Sequence, residues 1–189
     1  QAEDELSAIN MAIGASLTGA RAMTGSSSPG IALMGESISH CGSAEIPMVI
    51  VNSQRAGPST GMPTKVEQSD LGMMISGGNG DFPRIVLAPG NSHECFEIGA
   101  LATNLAQIAQ CPVFIALDRA LSQDTMTVPY FDLDSVEMDT GKMLDAAEVA
   151  ELDEYKRYKI TKDGISPWAI PGTPEGMSLV TGNERNEWG

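Results

Sequence analysis

Two places in the chain put reactive side chains where an inert protein has little reason to keep them. Arg55 follows the apolar run Pro47-Met48-Val49-Ile50-Val51-Asn52. A charge at the end of a buried strand is costly unless it is paired. Arginine is also the best side chain for two-point recognition of a carboxylate. A structural ion pair would meet the same requirement, and spacing alone does not choose between the two. Glu5 is ambiguous in a similar way. It closes the acidic triplet Glu3-Asp4-Glu5 at the start of a helical pattern. There it is either a charge favouring the positive end of the helix or a functional carboxylate.

Other chemical signals are weaker. Gly14-Ala15-Ser16-Leu17-Thr18-Gly19-Ala20-Arg21 has the glycine spacing of a phosphate loop. It lacks the Lys-Ser/Thr pair and lies inside a helical pattern, so it is set aside. Gly77-Gly78-Asn79-Gly80 reads as a loop of turn residues. His40 and His93 stand apart from each other and from any nucleophile triad. Cys41, Cys95 and Cys111 show no CxxC or Cys/His spacing, so neither a zinc site nor an iron-sulfur cluster is encoded here. They read as buried free thiols.

The elements that must hold these residues alternate. Residues 4 to 18 form a helix rich in small side chains, suited to close packing. Ala20 to Thr24 is a short strand candidate. Gly25-Ser26-Ser27-Ser28 is a turn, with Ser28 as helix N-cap and Pro29 at the first helical position. The next helix carries Ile31, Met34, Ile38 and Cys41 on one face. Residues 47 to 52, 84 to 88 and 112 to 117 read as fully buried strands. Asn91 and Glu94 form a capping box. The helix it starts carries Cys95, Ile98, Leu101, Leu105 and Ile108 on one face. This order predicts an α/β fold, a parallel sheet with helices on both faces, over residues 1 to 118. Ligands in such sheets sit beyond the carboxyl ends of the strands. Ser26 to Ser28, Arg55 and Asp118 all fall there.

Residues 119 to 189 change character. They are acidic and loop-rich, with one short helix carrying Leu144, Val149, Leu152 and Tyr155. The rest reads as an extended C-terminal arm, expected to lie on a partner subunit or a further domain. Eleven Lys and Arg against 25 Asp and Glu give a net charge of -14, which argues against nucleic acid as a partner. No apolar run approaches the ~20 residues of a membrane span. The acidic opening is unlike a secretory signal, so the expected location is cytoplasmic.

Longer stretches carry a resemblance. Gln1 to Glu5 with Ala8-Ile9, Gly14-Ala15-Ser16 and Gly19-Ala20-Arg21-Ala22 resembles the opening of the pyrimidine-binding domain in 2-oxoacid:ferredoxin oxidoreductase alpha subunits. Gln54-Arg55-Ala56-Gly57-Pro58-Ser59-Thr60-Gly61-Met62-Pro63-Thr64-Lys65, continuing through Glu67-Gln68-Ser69-Asp70-Leu71, is similar to a signature of the 2-oxoglutarate type. Gly80-Asp81-Phe82-Pro83-Arg84, Ala88-Pro89-Gly90, Tyr155 to Tyr158, Gly164 to Pro167 and Ile170 to Thr173 resemble the same subunits. Ala56 stands where many members have Gly, Met62 where many have Leu, and Ser26 to Ser28 where a Thr-rich version is usual.

The resemblance implies thiamine diphosphate as cofactor, shared with a beta subunit that holds the diphosphate, Mg2+ and a [4Fe-4S] cluster. It implies a hetero-oligomer that decarboxylates a 2-oxoacid, 2-oxoglutarate foremost. Coenzyme A would take the acyl group and ferredoxin the electrons. It places the cofactor-activating glutamate on Glu5 and the substrate carboxylate on Arg55. Thr64 becomes a further substrate contact, and Ser26 and Ser28 become cofactor contacts. It also implies flanking segments on both sides of this chain, which alone would be inactive. The rival readings are a subunit of another thiamine diphosphate enzyme and a non-catalytic assembly fragment.

Overall fold

A computed structural model describes residues 1–181 and 184–189. Four parallel strands make the main sheet, in the order β1-β2-β4-β3. They are β1 (Met23–Ser27), β2 (Met48–Gln54), β3 (Ile85–Leu87) and β4 (Pro112–Asp118). Alternation along β2 divides the core between two faces. Met48 and Ile50 face one way, with Phe114. Val49 faces the other way, with Val113 and Ile115.

On the first face lie α1 (Glu5–Leu17), α2 (Ser28–Leu33), α3 (Gly35–Ala44) and α4 (Leu71–Ser76). They bury Ile9, Ile13, Ile31, Met34, Ile38, Cys41 and Met74 against the sheet. The small residues of α1 do what close packing needs: Ser16 is fully buried and donates its hydroxyl to the Pro47 carbonyl at the entry to β2. On the second face lies α5 (Ser92–Ala109), burying Ala102 and Ala106. Its cap varies the expected box. Asn91 Oδ1 accepts from the Glu94 N–H at 3.0 Å, while Glu94 reaches the Asn91 side-chain amide and the Gly90 N–H.

Three local expectations shift. β1 runs over Met23–Ser27, three residues later than its polar sequence suggested. Its pairing with β2, from Met23 opposite Val49 to Ser27 opposite Ser53, outweighs the turn preference of Gly-Ser-Ser. The N-cap of α2 is therefore Ser27, and Ser28 is its first residue. The helix bearing Ile31, Met34, Ile38 and Cys41 is broken at Met34, ahead of Gly35, a weak helix former. All four side chains remain buried.

The segment after β4 is loop-rich, and part of it packs on the chain's own sheet. A short α6 (Arg119–Gln123) is capped by Asp118. Residues 124–138 run over the surface, with Phe131 stacked on Phe96 at 4.5 Å between ring centroids. Beyond them the chain packs on its own sheet. β5 (Met143–Leu144) pairs with β6 (Trp168–Ala169), and α7 (Ala146–Ala150) is opened by a capping box of Asp145 and Glu148. Val149, Tyr155 and Ala169 form a small core, with the Tyr155 hydroxyl accepting from the Ala169 N–H at 2.9 Å.

This unit docks at the amino ends of the strands. Gln110 Nε2, just before β4, donates to the Ser166 carbonyl at 2.6 Å. Arg157, nearly fully buried, donates to the Glu45 carboxylate at 3.1 Å and the Glu45 carbonyl at 3.0 Å, just before β2. Gly19, with φ of +88°, leaves room for Ile170, which a Cβ there would strike. The sequence pattern missed this docking because its contacts are single side chains on backbone carbonyls, which leave no periodicity.

Two predictions follow from this packing. Arg157→Ala removes the charge-assisted bonds to Glu45 and should cost about 2 to 3 kcal/mol. Hydrogen exchange should then accelerate over residues 155–169 while β4 stays protected; uniform acceleration, or none, would contradict local docking. The cysteines give the second. All three are free thiols. Burial pushes the Cys41 thiol up to about 12 and the Cys111 thiol up to about 11, and raises that of half-buried Cys95. Reactivity follows the thiolate. A disulfide reagent at pH 8 should modify Cys95 first and reach Cys41 and Cys111 only on unfolding, as peptide mapping would show.

Candidate active site

The three serines leaving β1 organise the open, carboxyl end of the sheet. Ser26 lies opposite Asn52 and Ser27 opposite Ser53 in the parallel ladder, so their backbone is set by β2. The Ser26 hydroxyl donates to Glu5 Oε1 at 3.0 Å. Two residues on, Ser28 turns to the neighbouring strand. Its Oγ accepts the Arg55 N–H at 3.1 Å and lies 3.4 Å from the Arg55 carbonyl. One turn of chain thus holds Glu5 on one side and the backbone of Arg55 on the other.

The acidic triplet separates by role. Glu3 is exposed. Asp4 is the N-cap of α1 and accepts from the Ser7 N–H at 2.7 Å, a contact that holds its carboxyl below the usual range. Glu5 is half-buried and reaches back to Ser26. Gly30 makes that reach possible. A Cβ built there would overlap Ser26 Oγ and stand 2.7 Å from Glu5 Oε1 and 2.8 Å from Glu5 Cγ. Among the described residues, the other oxygen, Oε2, takes no hydrogen bond.

Arg55 is half-buried, and its Nε is enclosed without a hydrogen-bond partner. Among the described residues its guanidinium makes no ion pair; the ion pairs lie on other side chains. The loop that follows folds on itself. Met62 N–H donates to the Ala56 carbonyl at 2.9 Å and Lys65 N–H to the Met62 carbonyl at 2.9 Å. Gly61, with φ of +54°, sits so close to the Ala56 carbonyl that no side chain fits. Thr64 is exposed in this loop.

A cleft of about 640 Å³ lies between α2 and the loop, walled by Ser28, Pro29, Leu33, Pro58, Thr60 and Asp70 among others. Thr64 is not one of its walls.

Two buried amides escaped the sequence reading. Asn52 is wholly buried in β2 and donates to Asp70 Oδ2 at 3.0 Å. Gln54 Oε1 accepts the Asp70 N–H at 3.0 Å, and Gln54 Nε2 donates to the Leu117 carbonyl at 3.1 Å. Together they fasten the far end of the loop to the sheet. Gln68 adds a bond of 2.7 Å to Asp118. The signal was present: amides at alternate positions, 52 and 54, continue a buried strand face, where an unpaired polar group is costly.

Among the described residues no group of three or more His, Cys, Asp or Glu side chains is arranged to hold a metal ion. Nor is any helix long and apolar enough to cross a membrane.

Comparison with known proteins identifies the family. Residues 1–171 match the family model described as "Pyruvate flavodoxin/ferredoxin oxidoreductase, thiamine diP-bdg". The chain is 46% identical over 191 residues to the 2-oxoacid:ferredoxin oxidoreductase 1 alpha subunit of Sulfurisphaera tokodaii, covering 100% of this chain and 30% of that one. It is 34% identical over 192 residues to the 2-oxoglutarate synthase subunit KorA of Methanothermobacter thermautotrophicus, covering 100% of this chain and 48% of that one. A solved structure of 2-oxoglutarate:ferredoxin oxidoreductase from Magnetococcus marinus, with 2-oxoglutarate, coenzyme A and succinyl-CoA bound, superposes with a TM-score of 0.94 at 42% identity. That match covers 100% of this chain and 32% of the other. The chain therefore spans about a third of the solved relative. With the family model matched over most of its length, it belongs to the thiamine diphosphate-binding domain family of the pyruvate and 2-oxoacid ferredoxin or flavodoxin oxidoreductases.

Proposed function

We propose that this chain supplies the aminopyrimidine side of a thiamine diphosphate site and the carboxylate-binding side of the substrate site in a 2-oxoacid:ferredoxin oxidoreductase. One observation carries the reading. A single serine turn holds the half-buried Glu5 carboxylate through Ser26 and the backbone of Arg55 through Ser28, at the open end of one parallel sheet, and the Arg55 guanidinium makes no ion pair among the described residues. The residues fit the cofactor. Glu5 keeps one oxygen free, and Gly30 presents bare backbone beside it. The alternative for Arg55, a structural ion pair, finds no support among the described residues.

When bound, thiamine diphosphate supplies the carbon nucleophile that cleaves a 2-oxoacid, and the chain supplies orientation and charge. Glu5 holds and exchanges a proton at the pyrimidine ring nitrogen. Arg55 binds the substrate carboxylate, and a guanidinium of low competing occupancy suits that task. Ser28, through the Arg55 backbone, fixes where that guanidinium starts. The cleft walled by Ser28 and Pro58 gives the 2-oxoacid a path in, with Arg55 and Thr64 not among its walls. In this reading 2-oxoglutarate is the substrate, coenzyme A takes the acyl group and ferredoxin the electrons. A beta subunit in the same cytoplasmic hetero-oligomer provides the diphosphate site, Mg2+ and the [4Fe-4S] cluster. The bound ligands of the Magnetococcus marinus relative support the substrate and the acyl acceptor.

Two experiments on the assembled enzyme test this. Losing a charge-assisted bidentate contact costs about 2 to 4 kcal/mol of transition-state binding. Arg55→Ala should thus lower kcat/KM for 2-oxoglutarate about 30- to 1000-fold, with thiamine diphosphate still bound; an unchanged kcat/KM would remove Arg55 from the site. Glu5→Gln should keep the complex and its cofactor but slow C2–H exchange of thiamine diphosphate about 100-fold, the scale of lost acid-base assistance. Exchange that stays fast in Glu5→Gln and drops in Glu3→Gln would move the role to Glu3.

A further inference from the structure

Resting on that role for Glu5, we infer that Ser26 and Gly30 are its positioning residues: Ser26 pins Oε1, and the bare backbone of Gly30 makes the space, so that Oε2 is the oxygen presented to the cofactor.

The geometry is over-determined from three sides. Ser26 is fixed by the ladder, opposite Asn52, a fully buried residue of the central strand. Its hydroxyl therefore reaches Glu5 from a rigid base, and a serine side chain has few rotamers in which to miss. Glu5 itself leaves the first turn of α1, whose start is set by the Asp4 cap. A long carboxylate on a helix end would otherwise sample several rotamers, at an entropic cost when it is ordered. The 3.0 Å bond from Ser26 selects among them.

Gly30 closes the argument. It is buried in the first turn of α2, where alanine would be the better helix former. Its φ is not in the left-handed region, so backbone freedom does not explain the glycine. What explains it is space. An alanine methyl would overlap Ser26 Oγ and crowd both Oε1 and Cγ of Glu5. The stability given up in the helix is exchanged for a carboxylate held in one place.

The test uses the full-length subunit assembled with its partners. Ser26→Ala should slow C2–H exchange by a larger factor than it weakens thiamine diphosphate binding, measured by calorimetry, because the Ser26 hydroxyl is spent on Glu5 Oε1. C2–H exchange should fall about tenfold, which corresponds to about 1.4 kcal/mol. Ser26→Thr restores the hydroxyl and should recover most of that loss, a rescue that a general packing role would not give. Gly30→Ala should lower both the exchange rate and the cofactor affinity, since the displaced carboxylate then occupies cofactor space. Normal exchange in Ser26→Ala, or an equal loss in Ser26→Ala and Ser26→Thr, overturns the inference while slow exchange in Glu5→Gln leaves the proposed function standing. Normal exchange in Glu5→Gln overturns both. If Gly30→Ala does not assemble, the two Ser26 variants still decide.

Discussion

The parallel pairing of β1 with β2 is the constraint on which the site depends. β1 is a poor strand by composition, with Gly25, Ser26 and Ser27 in its second half. It is held by its neighbour and not by its own preference. That pairing brings a polar, short-side-chain segment to the open edge of an otherwise apolar sheet. Small hydroxyl side chains can then serve two neighbours at once. Ser26 reaches sideways to α1 and Ser28 across to the end of β2. Bulkier or apolar residues on this turn would have added core area but left Glu5 and the Arg55 backbone without partners. The turn thus ties the Glu5 carboxylate and the Arg55 backbone to one rigid segment.

Much of the architecture was legible because it is periodic. The apolar runs at 47 to 52 and 112 to 117 became adjacent central strands. The Ile31-Met34-Ile38-Cys41 spacing gave the buried face even though the helix breaks at Met34. The strand ends could be located, and with them Ser26, Ser28, Arg55 and Asp118. What was illegible falls into two kinds. β1 was misplaced by three residues because its position is set by a partner strand and not by local preference. The docking of residues 139–170 was missed because Arg157, Gln110 and Tyr155 act as single polar anchors on carbonyls and N–H groups distant in sequence.

At the level of residues, composition alone could not rank Glu3, Asp4 and Glu5, nor say whether Arg55 was paired. Both questions are geometric. The structure gives the three different surroundings: Asp4 caps α1 through Ser7, Glu3 is exposed, and Glu5 meets Ser26. Asn52 and Gln54 were legible in retrospect. Two amides on one face of a buried strand demand partners, and the loop residue Asp70 supplies one to each.

The two ends of the sheet are finished differently, and the difference follows from what each end must do. At the amino ends, a buried arginine, a buried tyrosine and the β5–β6 pair close the structure over the strand starts. Arg157 and Gln110 take the Glu45 and Ser166 carbonyls there, while Tyr158 Oη and Trp168 Nε1 stay enclosed without partners. At the carboxyl ends the finish is partial. The loop after Arg55 is fastened at both ends, by Ser28 and by the Asn52-Gln54-Asp70 contacts, yet a cleft of about 640 Å³ stays between it and α2. Arg55 Nε and Asn52 Oδ1 remain enclosed without partners on that side. In a net-acidic chain of charge -14, an enclosed arginine that makes no ion pair among the described residues is a standing attraction for an anion. Rigid anchoring around unsatisfied groups is how a protein orders a site before its ligand arrives. The ordering cost is then met in folding, and binding energy goes to orienting the substrate.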